Sequence, residues 1–239
     1  MEYRIGDKKV RIFPQHLEKV GQGYEGVVYK YGRKVLKLYH VYPRKSVLSL
    51  KECNYLSQLT TQRLLLPDSA VCDKKHCIKG YIISSFVEES RDIYQLLGNQ
   101  FLEEFSKIQQ ELMYLGEHFV SVADFTLENF ICANKLYCLD PGSYKVHFDM
   151  MNEDVERNFI YLVNTNIEYF SAFLYTKIFQ QFIRNQISNL ALYRDVCNEI
   201  FVRYKGTLCY DIVDYIVKYI LPEEPLEESI KRLIKIHMN

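Results

Sequence analysis

Gly21-Gln22-Gly23-Tyr24-Glu25-Gly26 places three glycines within six residues, and the segments downstream constrain the fold more than the glycines do. A glycine string that opens a helix, with an acidic residue about 20 positions on, reads as a dinucleotide-binding turn. This string runs instead into Val27-Val28-Tyr29-Lys30, a turn at Tyr31-Gly32, and Val35-Leu36-Lys37-Leu38-Tyr39. These are two runs of β-branched and aromatic residues joined tightly, the pattern of an antiparallel hairpin. Ser46 stands where the dinucleotide fold would need its acid. That fold is excluded, and the chain opens with antiparallel strands.

Five further signals come next, in order. Lys37 ends the apolar triplet Val35-Leu36-Lys37, and taken alone it reads as a solvated strand lysine. Between Ser46 and Leu59, Leu48, Leu56 and Leu59 recur at helical spacing and set Glu52 beside the apolar stripe. A carboxylate there calls for a cation, so Glu52 is expected to pair with Lys37. Tyr81-Ile82-Ile83 then reads as a strand running out into the polar segment Ser84-Ser85-Phe86-Val87-Glu88. Asp124 precedes Asn129 by five positions, and Asn129 leads directly into apolar Phe130-Ile131. A second run, Leu136-Tyr137-Cys138-Leu139, ends at Asp140-Pro141-Gly142. As turn chemistry alone, Asp-Pro-Gly needs no further explanation. An acid at such a tip, however, offers hard oxygen to a divalent ion.

In this order the signals resemble the protein-kinase-like superfamily, in the small stand-alone form found in bacteria. The resemblance implies an α+β, two-lobed chain with a small β-rich N-lobe over about 1–86, a hinge at about 85–90 and a helical C-lobe over about 90–239, all one domain of 1–239. It implies ATP held by Gly21, Gln22, Gly23, Tyr24, Gly26, Val28 and Lys37, with Ser84 behind the adenine pocket and Ser85, Phe86 and Val87 along its edge. Asp124 becomes the base, Lys37 and Glu52 its catalytic companions, and Asn129 and Asp140 the Mg2+ ligands. The function implied is an ATP- and Mg2+-dependent phosphotransferase, first a divergent serine/threonine protein kinase acting on an alcohol group. The alternatives are a small-molecule kinase of the same fold, a nucleotide-regulated pseudokinase that binds partners, and a transferase of AMP from a flipped ATP.

The departures are specific. Val122 and Ala123 fill the positions of the His and Arg before the base, Thr126 that of a phosphate-contacting lysine, and Pro141 that of the phenylalanine before glycine. No Ala-Pro-Glu comes after it. These changes leave the nucleotide site intact and the acceptor, protein or metabolite, open.

Composition agrees with a compact enzyme. The chain has 239 residues, 48% of them hydrophobic, with 30 basic and 30 acidic side chains. Zero net charge gives no reason to expect nucleic acid or membrane as a partner. Seven scattered cysteines read as free thiols in a reducing, cytoplasmic setting. Cys72, His76 and Cys77 lack the second cluster that a zinc site needs. There is no signal pattern and no run of 18 apolar residues. Apolar residues at 101, 102, 105, 108, 112, 115 and 119 predict one long helix, the aromatic-rich stretch from Val155 to about Ile220 predicts stacked helices, and Pro222 and Pro225 bracket a break before a last helix over Leu226 to His237. Its Lys231, Arg232 and Lys235 are expected on a solvated face.

Overall fold

The computed structural model describes residues 2–6, 8–23, 25–40, 48–83, 92–123, 125–133, 135–138, 144–204 and 209–238, leaving out the side chains of 128, 201–204 and 210. Its fold is α+β, with a strand-rich N-terminal part and a helical C-terminal part.

The strand-rich part contains β1 (Glu2–Ile5), β2 (Lys8–Arg11), β3 (Lys19–Gln22), β4 (Gly26–Tyr31), β5 (Lys34–Tyr39), α1 (Leu50–Leu56), β6 (Pro67–Cys72) and β7 (Ile78–Ile83). The strands form one antiparallel sheet in the order β2-β1-β6-β7-β5-β4-β3. The β4–β5 turn is Gly32-Arg33 rather than Tyr31-Gly32, because Tyr31 still pairs with Lys34, and Gly32 supplies the positive φ of 65° that so short a turn demands. Strand alternation sends Leu36 and Leu38 to one face, where they pack with Tyr3, Ile12, Val71 and Ile82. Lys37 and Tyr81, directly opposite each other on β5 and β7, take the other face, and Tyr81 belongs to the main core shared with α1 and the helices.

The helical part opens with α2 (Gly98–Glu117), whose Phe101, Phe105, Ile108, Leu112 and Leu115 are buried along the predicted stripe. Four strands of three residues come after it, β8 (Val120–Val122), β9 (Phe130–Cys132), β10 (Leu136–Cys138) and β11 (Tyr144–Val146), paired as β9 with β10 and β8 with β11. Then come α3 (Val155–Phe173), a π-helical stretch Leu174–Gln180, α4 (Gln181–Gln186), α5 (Leu190–Tyr204), α6 (Cys209–Val217) and α7 (Leu226–Met238). Gly116 lets α2 and α3 approach closely, since a Cβ there would meet the Val163 backbone at 2.7 Å. Arg232 departs from the solvated face expected of it. Its guanidinium bonds Glu224 and the Tyr219 carbonyl, and so ties α7 to the break before it.

One polar cluster joins the two parts. Arg63, 4% exposed, lies in the segment between α1 and β6 and donates from Nε and Nη2 to the two carboxylate oxygens of Glu104 on α2, at 3.0 and 2.9 Å. Two turns further along α2, Glu111 accepts the backbone N–H groups of Gln62, Arg63 and Leu64.

Burial pushes the Glu104 pKa up, but hydrogen bonds from Arg63 and from the Leu136 N–H, with the Arg63 charge, hold it below the usual glutamate value. Its contribution to stability is therefore fully present above the unfolded pKa of about 4.3 and is lost as the pH falls through the folded value. Glu104→Gln should cost about 3–5 kcal/mol at neutral pH, because the buried guanidinium loses its counter-charge. Urea unfolding measured from pH 7 to pH 3 should also show a smaller acid-induced loss in the variant than in the wild type. Equal slopes in the two proteins would refute the assignment.

Candidate active site

The glycine string forms the β3–β4 hairpin. Gln22 pairs with Val27, Gly21 with Val28, and the Gly23 N–H donates to the Gly26 carbonyl at 3.0 Å. Gly26 has a reason inside the fold, since a Cβ would come within 2.3 Å of the Leu38 carbonyl oxygen on β5. Gly21 and Gly23 have none among the described residues. Neither carries a positive φ, a Cβ on Gly21 would make only ordinary contact with Val28, and one on Gly23 would meet nothing within 4 Å. Their lack of side chains leaves open space over the hairpin.

Lys37 lies opposite Val28 on β4, and the half-buried Val28 shares its face. The Lys37 side chain is 15% exposed, its Nζ stands 3.8 Å from Glu25 Oε2, and it lies 5.7 Å from the centroid of the Tyr39 ring. Glu25 is held by its backbone, for the His40 N–H donates to its carbonyl at 2.9 Å. Tyr24, next to it, lies outside the described residues.

The expected ion pair between Lys37 and Glu52 is not formed. Helix α1 begins at Leu50, which puts Glu52 in its first turn rather than its middle. The Glu52 carboxylate accepts the Ser49 N–H at 2.8 Å while the Ser49 hydroxyl accepts the Glu52 N–H at 3.2 Å, a reciprocal cap that satisfies two otherwise unpaired donors. The helix is pinned from its other side, where the Tyr55 hydroxyl donates to the His118 carbonyl and the Lys51 ammonium sits 3.8 Å from the centroid of the Phe148 ring.

Asn129 is half-buried and closes a short 3-10 turn, Leu127–Asn129, its N–H bonding the Thr126 carbonyl at 3.1 Å before the chain enters β9. Asp124 lies outside the described residues, but both flanks of its loop are anchored. On one side the Val122 N–H donates to Asn166 Oδ1 at 2.9 Å, and Asn166 Nδ2 donates to the carbonyls of Leu112 and Val120. On the other, buried Phe125 packs on Phe170 and Phe173. Strand β10 is fixed by the Cys138 N–H to the Arg63 carbonyl and the Leu65 N–H to the Cys138 carbonyl. Asp140 beyond it, and the adenine-edge residues Ser84, Ser85, Phe86 and Val87 beyond β7, lie outside the described residues.

Five contributors are not marked by the sequence motifs: Glu25, Arg63, Glu104, Asn166 and His147. Glu25 hides within the glycine string. Arg63 and Glu104 are 41 positions apart, and nothing local marks them as partners. Asn166 had a readable signal, an amide on the buried stripe of α3 between Leu162 and Phe170 at intervals of four. His147 joins β8 through a 2.8 Å contact between its Nε2 and the Ser121 hydroxyl, and burial, then the Lys145 charge, lowers its pKa. Cys72, His76 and Cys77 do not converge. Cys72 faces the core, Cys77 is exposed, and the His76 ring contacts Arg4.

No protein-family model and no curated protein sequence matches the chain. Among solved structures, the Lpg2603 kinase of Legionella pneumophila, described as bound to IP6, is similar with a TM-score of 0.46 and 12% sequence identity, over 91% of this chain and 92% of that one. Among the described residues no helix is long and apolar enough to cross a membrane.

The role of Glu52 can be separated from that of an ion-pair partner. Ser49→Ala should lower stability by about 1 kcal/mol, the usual worth of an N-cap, whereas Glu52→Gln should stay within about 0.5 kcal/mol because glutamine fills the same capping position. Chemical denaturation measures both. A Glu52→Gln protein that kept its stability but lost stabilisation by Mg·ATP would restore the ion-pair role.

Proposed function

We propose that this chain is an ATP- and Mg2+-dependent phosphotransferase, first a divergent serine/threonine protein kinase. The observation that carries the reading is a largely buried lysine on the inner face of the sheet, beside a hairpin whose Gly21 and Gly23 meet no close neighbour that requires glycine among the described residues. Backbone that approaches an anionic ligand closely has a use for glycine there. The residues fit a nucleotide on both counts.

In this reading the hairpin from Gly21 to Gly26 covers the phosphates, with Gln22, Tyr24 and Val28 lining the approach, and Lys37 contacts them. Backbone groups of Ser85 to Val87 bind the adenine edge, with Ser84 behind it. Asn129 and Asp140 hold the metal, and Asp124 orients the acceptor hydroxyl and takes its proton. Bound Mg·ATP supplies the transferable phosphoryl group and neutralises its charge. The anchoring of β8 by Asn166 and of β10 by the Arg63 segment supports the loops that carry these residues. A small-molecule acceptor is a second reading, favoured by the short path from Gly142 to α3. The described residues 144–154 hold only β11 and a 3-10 turn, Phe148–Met151, leaving little room for a peptide-docking segment. The buried free thiols of Cys53, Cys72, Cys132 and Cys138 suit a cytoplasmic setting.

Mg·ATP should raise the melting temperature of the protein by mass action, and Lys37→Ala should diminish the rise. Asp140→Ala should lose Mg2+-dependent binding and turnover together. Asp124→Asn should keep binding and lose turnover by about 10²–10⁴-fold. A melting temperature unmoved by saturating Mg·ATP, with no binding by calorimetry, would sink the reading. Because Val122 is buried in β8 and neither it nor Ala123 offers a charge or a side-chain donor, neither side chain can bind a phosphate on the segment after Gly142. Turnover should therefore survive phosphatase treatment, with mass spectrometry confirming the phosphate-free state. A loss reversed by rephosphorylation would contradict this.

A further inference from the structure

The structure assigns to Glu25 a role that the glycine string does not announce. We propose that its carboxylate sets the nucleotide affinity of this site, holding the Lys37 ammonium in the ligand-free protein and yielding it to the phosphates of an incoming nucleoside triphosphate. The proposal rests on the nucleotide-binding reading of the site.

Four observations converge on it. The first is the 3.8 Å separation between Lys37 Nζ and Glu25 Oε2, within ion-pair range. The second is how Glu25 comes to be there. Gly26 presses the hairpin onto β5 at the Leu38 carbonyl, and the His40 N–H holds the Glu25 carbonyl, so the backbone from Glu25 into β4 is fixed next to the lysine strand. The third is that Glu52 is engaged at its own helix terminus, while α1 is pinned through Tyr55 and Lys51. Lys37 thus meets an anion from its own sheet instead of from the helix. The fourth is exposure. The Glu25 side chain is 35% exposed against 15% for Lys37. With its backbone fixed, Glu25 can rotate its carboxylate into solvent while the hairpin stays in place.

Electrostatics gives the sign. A carboxylate at the tip of a loop that covers phosphates repels them and competes for the same ammonium. Both effects weaken triphosphate binding, and both act through charge at short range. Ligands without phosphates should not sense the residue.

Calorimetric titration with Mg·ATP, with Mg·tripolyphosphate and with adenosine would test this on the wild type, Glu25→Gln, Glu25→Ala and Glu25→Asp, each first shown by circular dichroism and melting to be folded. Glu25→Gln and Glu25→Ala should bind Mg·ATP and tripolyphosphate about three- to tenfold more tightly, as expected for one partly solvated charge pair. Adenosine affinity should be unchanged, and Glu25→Asp should stay near the wild type. In turnover the charge-removing variants should lower KM with kcat held within about twofold, the pattern of altered ground-state binding. Unchanged or weaker triphosphate binding in both overturns the proposal and leaves the nucleotide-binding reading standing. Equal tightening toward adenosine also overturns it, because loop shape rather than charge would then be responsible. A wild type that binds neither Mg·ATP nor tripolyphosphate sinks the reading and the proposal together.

Discussion

A single guanidinium organises the junction of this molecule. Arg63 comes from the strand-rich part and Glu104 from the first long helix, and neither charge could be buried where it is without the other. Their fork-to-carboxylate geometry fixes direction as well as distance. The segment that carries Arg63 precedes β6 and lies outside the seven-stranded sheet, so its N–H groups at 62, 63 and 64 need acceptors from elsewhere. Glu111 accepts all three. The same segment then bonds β10 on its far side, and Glu104 also accepts the Leu136 N–H at the start of that strand. Segment, helix and hairpin are held at one point by charge-assisted hydrogen bonds.

That junction matters because the elements leading to the candidate catalytic positions are too small to hold themselves. Strands β8, β9, β10 and β11 have three residues each, and two-stranded ribbons of that length are marginal in isolation. Buried polar groups make up for the missing length. Asn166 is fully buried, with its oxygen accepting once and its amide donating twice, and so it satisfies the backbone of both α2 and β8. Around it, Phe125, Phe130, Phe170 and Phe173 stack at centroid distances of 4.7 to 6.4 Å and close the loop between β8 and β9 from beneath.

The parts of this arrangement that depend on local pattern were legible in the sequence. The β4–β5 hairpin, the α2 stripe, the β9–β10 hairpin and the helix after Pro225 all arise from periodicity and turn chemistry, which act within a few residues. Pairing across long separations was not legible. Glu52 shows the difference well. The apolar stripe suggested a partner in the sheet, whereas the spacing of Ser49 and Glu52 already encoded a local one, because serine three positions before glutamate is the capping pattern. Where a local and a distant partner compete for one carboxylate, the local one costs less chain entropy to reach. Glu25 is the converse case. Its partner is distant along the chain, and only the pressing of Gly26 onto β5 brings the two together.

Zero net charge was also an incomplete guide. Residues 1–83 carry 16 Lys and Arg against 7 Asp and Glu, and residues 84–239 carry 14 against 23, so the balance hides a separation of charge between the sheet and the helical part. Screening confines the effect to about 8 Å at physiological salt, which removes long-range steering but keeps local bias. A ligand that carries both signs, such as a triphosphate with its divalent ion, would meet a different local charge on each of the two parts. Glu25 is one of the seven acids of that basic region, set 3.8 Å from the Lys37 ammonium. Its charge matters more for standing on the basic side, since the net bias there favours the anion.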